Sequence, residues 1–258
     1  MSLFMYPNSD TLSHEAARLI VRLANEAIAA HGRFTIALSG GSTPKKLYGL
    51  LGNEPYRSQI DWALVDIFWS DERCVPPDDP ESNYSMAEQV LLSQVPIPAS
   101  QVHRMPADQQ DRDAAAYAYT LDMQQTLGSD SVPVFDLIQL GMGPEGHTAS
   151  LFPHQPSLHE QQRVVMPVTV PKPPPPRLTF TPRILNAATH VLFLVTGAEK
   201  QDAVQAVLEG PYNPEEYPAQ IVRPERGEVT WMLDTEAAAK LQNKTPENQQ
   251  TQGQGAAQ

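Results

Sequence analysis

Apolar residues recur at Leu12, Ala16, Leu19, Ile20, Leu23, Ala27 and Ile28, a spacing of three and four that predicts an amphipathic helix over residues 10–30, stopped by Gly32. The pattern then shortens. Phe34–Leu38, Val65–Trp69 and residues 135–140, 191–195 and 229–233 are brief, mostly apolar runs, and residues 163–170 form a further candidate. Runs of this length bounded by glycine or proline suit buried strands better than helices. Helical periodicity returns at 44–51, 82–92, 111–127, 182–188, 201–208 and 235–241, while 102–105 reads as a short strand among prolines. Strands alternating with helices predict an α/β fold with a mainly parallel sheet flanked by helices.

Polar segments follow four of the strands: SGGST from Ser39, SDER from Ser70, GMGPEGH from Gly141 and TGAEK from Thr196. In an open parallel sheet, ligands bind in the crevice outside the carboxyl ends of the strands, so these segments are expected to converge on one site. SGGST between a strand and a helix is the phosphate-binding order, with glycine amides, two hydroxyls and a helix N-terminus facing the anion. A plain helix cap looks similar, and the Walker lysine spacing is absent. Gly141, Gly143 and Gly146 satisfy G-x-G-x-x-G, yet Pro144 removes an amide donor, and Pro171 and Lys172 stand after the next strand where a ribose-binding acid belongs. A dinucleotide site is therefore not expected. SDER alone reads equally as a solvated loop, and PKPPPPR at 171–177 as a stiff connector unable to enter a sheet interior. That connector also presents Lys172 and Arg177 at little entropic cost. His147 closes the central motif and is the candidate for proton transfer near neutral pH.

Composition narrows the partners. The 258 residues suit one domain, over 1–242, and residues 243–258, NKTPENQQTQGQGAAQ, have the polar low complexity of a disordered tail. Eighteen Lys and Arg against 30 Asp and Glu give a net charge of −12, which argues against nucleic acid and anionic membranes and requires any anionic substrate to meet a local basic pocket. The single cysteine, Cys74, permits no internal disulfide. With no signal core and no membrane-length apolar run, the reading is a soluble cytoplasmic protein, a monomer or small homo-oligomer. No Cys or His cluster has metal-ligand spacing.

SGGSTP at 39–44, SDERCVPPDDPESN at 70–83, GMGPEGHTASLFP at 141–153, then PPPR and TGAEK, in this order and spacing, resemble the 6-phosphogluconolactonases of the glucosamine-6-phosphate isomerase/6-phosphogluconolactonase family. The resemblance spans everything but the tail. It implies a modified Rossmann-like α/β sandwich, hydrolysis of the phosphorylated sugar lactone 6-phosphogluconolactone in the oxidative pentose phosphate pathway, and no cofactor or metal. Carried over by motif, His147 is the catalytic histidine. Gly41, Ser42 and Thr43 form the phosphate loop, Arg73, Arg177 and Lys200 are the basic contacts, and Asp71 is the acid of SDER. Glu145 departs from the aspartate usual in the family. The implied mechanism has His147 take a proton from water, with Glu145 or Asp71 orienting it. Two alternatives are amino-sugar phosphate isomerase or deaminase chemistry and a non-catalytic sugar-phosphate sensor. The deaminases typically carry an asparagine-glutamate pair after the histidine, whereas TASLFP supplies no acid.

Overall fold

The computed structural model describes residues 1–243, so the expected tail lies, except for Asn243, outside the described residues. Among the described residues, nine strands divide between two sheets. The larger contains β1 (Ser2–Tyr6), β2 (Phe34–Leu38), β3 (Val65–Trp69), β5 (Leu137–Leu140), β8 (His190–Val195) and β9 (Glu228–Asp234), in the order β1-β9-β8-β5-β2-β3 with every pairing parallel. The smaller is antiparallel, β4 (Asp71–Arg73), β7 (Pro176–Phe180) and β6 (Val165–Thr169).

Strand alternation sorts the core into two layers. Ala37, Phe68, Ile138, Phe193 and Trp231 face one way, toward α4 (Arg112–Leu127), α5 (Pro182–Leu185), α6 (Gln201–Glu209) and the small sheet. Ile36, Ile67, Leu137, Leu192 and Met232 face the other, toward α1 (Ser9–His31), α2 (Ser42–Leu51) and α3 (Asn83–Ala87). Both faces are covered, which is why the central strands are apolar at successive positions. Phe193 and Trp231 stack across β8 and β9 with centroids 3.9 Å apart.

Strand order reverses between β2 and β5: from β2 the chain steps outward to β3, then returns to the far side of β2 and builds β5, β8 and β9 in the opposite direction. Loops leaving β2 and β5 therefore part and open a crevice. At Ser70 the chain leaves the large sheet for the small one, the Ser70 amide donating to Leu38 O (2.8 Å) and its carbonyl accepting from Phe180 N (2.7 Å). That crossing delivers β4 to the same crevice.

Several sequence expectations fail for tertiary reasons. SDER is partly a strand, since β4 has β7 beside it. Pro171 to Pro175 stay outside the sheets, but Pro176–Phe180 is the middle strand of the small sheet, with proline tolerated at its first position. The short strand at 102–105 reduces to one bridge between Val102 and Ile67. The helix at 235–241 is a series of turns in which the Asp234 carboxylate accepts from Ala237 N (2.8 Å). SLFMY, for which the sequence pattern predicts no element, is strand β1 against β9. Among the described residues no helix is long and apolar enough to cross a membrane.

Candidate active site

A cleft of about 210 Å³ opens at the carboxyl ends of β2, β5 and β8. Eight of the nine predicted site residues line it: Gly41, Ser42, Thr43, Asp71, Arg73, His147, Arg177 and Lys200; Glu145 stands behind His147.

The SGGST loop runs from β2 straight into α2. Gly41 precedes α2 with φ 114°, a conformation L side chains rarely adopt, and no side chain caps the helix, so its first-turn amides are not consumed by a cap. Beneath it lies a buried polar network: the Tyr48 hydroxyl accepts from Ser39 N (3.0 Å), and Ser39 Oγ donates to Gln139 Oε1 (2.8 Å). Thr43 Oγ1 sits 2.7 Å from Thr196 Oγ1, tying this loop to the one after β8.

His147 is held by a close approach to glycine. A Cβ on Gly143 would lie 2.1 Å from His147 Nδ1, so only glycine admits the ring. The imidazole also stacks on Phe152, centroids 4.1 Å apart and 14° from parallel. Glu145 Oε1 lies 3.1 Å from Nδ1 at ion-pair distance, but the pair misses hydrogen-bond alignment and Nδ1 is buried without another partner. We therefore treat the contact as electrostatic. The histidine beside it holds the Glu145 carboxyl down at about 2, against its own partial burial. With Nδ1 enclosed, Nε2 is the ring nitrogen left for chemistry in the cleft.

Asp71 is buried and accepts from Ser150 Oγ at 2.6 Å, with Arg177 Nη1 4.0 Å away. Arg177 is also buried, and burial lowers its pKa. Its guanidinium donates to Pro174 O (3.2 Å), Lys172 O (3.3 Å) and Ser150 Oγ (3.3 Å), which fastens the prolyl segment to β7. Arg73 donates from Nη1 to Glu81 O, and its buried Nε has no partner. Lys200 is 3.9 Å from Glu199, and burial lowers its pKa. Among the described residues no group of three or more His, Cys, Asp or Glu is placed to hold a metal ion.

Lys172, Asn83 and Thr196 also line the cleft. Lys172 and Asn83 fall inside the PKPPPPR and SDERCVPPDDPESN motifs, so a signal existed. Thr196 likewise opens the TGAEK segment, though nothing there marks it above its neighbours. Cys74 lies beside Arg112, and burial pushes its thiol up.

The model for "Glucosamine-6-phosphate isomerases/6-phosphogluconolactonase" matches residues 7–231. A 6-phosphogluconolactonase of Synechocystis is 41% identical over 236 residues, 91% of this chain and 95% of the relative. The solved structure of 6-phosphogluconolactonase from Trypanosoma cruzi superposes with TM-score 0.82 at 32% identity, covering 93% of this chain and 97% of that one. A monomeric glucosamine-6-phosphate deaminase superposes with TM-score 0.77 over 93% of this chain and 99% of its own, and at 22% identity that likeness speaks to fold alone.

Proposed function

This chain belongs to the family of glucosamine-6-phosphate isomerases and 6-phosphogluconolactonases, and we propose on that premise that it hydrolyses 6-phosphogluconolactone to 6-phosphogluconate, with His147 as general base. The observation that carries the reading is the seating of His147 at the crevice, its Nδ1 against Glu145 and its ring between Gly143 and Phe152, in one cleft with an uncapped helix N-terminus.

The Glu145 carboxylate favours the proton on Nδ1, leaving the Nε2 lone pair to take a proton from water as it attacks the lactone carbonyl. The same nitrogen then returns a proton to the departing ring oxygen. Arg73, which lines the cleft, stabilises the developing oxyanion. Asp71, bonded to Ser150 and near Arg177, serves the shape and charge of the cleft more than the imidazole. The phosphate is held by the amides and hydroxyls of Gly41 to Thr43 with Lys200, and this remote binding fixes the carbonyl against the water. Arg177 acts chiefly through the segment it anchors. Deaminase chemistry is disfavoured by the residues just past His147: Thr148 bonds Gly141 O (2.9 Å) and Ser150 bonds Asp71, and the segment TASLFP contains no acid.

The test is to generate the lactone fresh and measure its loss against the spontaneous rate. Acceleration abolished by His147→Ala, with 6-phosphogluconate still bound, is expected; folded protein giving no acceleration sinks the proposal.

A further inference from the structure

We propose that Glu72 is a positioning residue for this cleft, holding Asp71, Arg73 and Asn83 in register with Gly40 without touching substrate; the inference rests on the lactone-hydrolysis reading. In β4 the side chains alternate, so Asp71 and Arg73 share the face that lines the cleft and Glu72 points the opposite way, toward α3. There its carboxylate, 3% exposed, is saturated by neutral donors. Oε1 accepts from Arg73 N (2.8 Å) and Asn83 N (2.8 Å), and Oε2 accepts from Tyr84 N (2.8 Å) and Ser82 Oγ (3.0 Å). None of these donors is a cationic group, and burial pushes the carboxyl up against the pull of the amides.

A buried carboxylate without a cationic partner is costly, and these four hydrogen bonds offset that cost only while their donors stay in place. What it gathers is the cleft. Asn83, fixed by its own amide, sends Nδ2 back to Asp71 O (2.9 Å). Its side chain also lies against Gly40, where an added Cβ would fall 1.9 Å from Oδ1. Arg73, whose amide Glu72 holds, reaches Glu81 O in the same segment. One side chain thus joins the strand bearing Asp71 and Arg73 to the start of α3, whose Asn83 packs against Gly40.

Glu72→Gln is isosteric but presents an NH2 to amide donors whichever way the carboxamide is turned, so at least one of the four bonds is lost. With 6-phosphogluconolactone, kcat is expected to fall about 10²-fold, the scale of an ångström-sized misplacement. KM and 6-phosphogluconate affinity should move less than about threefold, because Ser42 and Thr43 are held within α2 and by the Thr43–Thr196 contact, and Lys200 follows β8. Product-binding stoichiometry, measured well below the unfolding midpoint, counts the competent molecules. Ser82→Ala removes one bond to Glu72 together with the cap that accepts from Ser85 N at the start of α3, and it carries the test if Glu72→Gln does not fold, with kcat a few-fold down at unchanged KM. Active wild type with unchanged kcat in the folded variant overturns the positioning role. So does a loss explained wholly by fewer binding-competent molecules. Wild type inactive on fresh lactone instead overturns the functional reading beneath it.

Discussion

At the scale of single residues, the site is set by contacts that leave no slack. Gly143→Ala places a methyl 2.1 Å from His147 Nδ1, so the ring must leave its seat between the loop and Phe152. Activity should approach that of His147→Ala while the unfolding temperature changes far less, a pair of measurements that separates a displaced base from a damaged fold. Glu145 tests charge against length. The carboxyl, at about 2, is ionised throughout the working pH range. Glu145→Gln removes the negative charge that offsets the positive charge the imidazole gains as it takes a proton from water, so the maximal rate should fall. Glu145→Asp should retain most of the rate. An unchanged rate in the Gln variant would make Glu145 a loop-shaping residue. These two positions differ in legibility. A glycine in GMGPEGH announces close approach or an unusual turn, but only the folded loop reveals that His147 is what approaches.

At the scale of elements, basic residues alike in sequence have different duties. Arg177 spends its nitrogens on the carbonyls of Lys172 and Pro174 and on Ser150, whereas the ion-pair partner of Lys200 is Glu199, at 3.9 Å. Lys200→Ala should therefore weaken binding of the phosphorylated lactone by roughly 1.5 to 3 kcal/mol, the value of a charged hydrogen bond, and leave an unphosphorylated lactone nearly unaffected. Arg177→Ala should impair both, because it frees the whole prolyl segment. Equal losses on the two lactones for Lys200→Ala would remove it from the phosphate site. The prolines of PKPPPPR foretold stiffness. They did not foretell that Pro176–Phe180 becomes the middle of a sheet, since that depends on β4 and β6, arriving on either side.

At the scale of the molecule, charge chemistry is also used to close the end of the sheet away from the cleft. His103 stacks on Phe68, centroids 4.2 Å apart, with Nδ1 3.0 Å from Asp122 on α4 and Nε2 3.3 Å from Asp66 on β3, while Arg33 donates to Asp66 at 2.6 Å. Burial alone would lower the imidazole, but Asp122 and Asp66 outweigh it and raise it from 6.5 to about 9. A group raised on folding stabilises fully below its unfolded value and loses that contribution as pH climbs through the folded one. Unfolding free energy should fall on the order of 1–2 kcal/mol between pH 6.5 and about 9, after allowance for solvent screening. His103→Gln should flatten that slope. Wild-type stability constant across the window would show that the clamp is not charged.

By itself the sequence determined the long first helix, the five apolar strands found in the parallel sheet, and the four polar segments that meet at the cleft, because each is written in local periodicity and turn chemistry. Its motifs also named the residues that came together in the cleft. The tertiary structure alone decided that SLFMY is an edge strand beside β9, that residues 235–241 turn on Asp234 instead of coiling, and that Glu72, between two cleft residues, faces away to bind α3. In each case the deciding partner lies outside the segment itself. A short segment adopts whichever backbone satisfies its amides and apolar faces against its neighbours in space, and no local pattern records who those neighbours are.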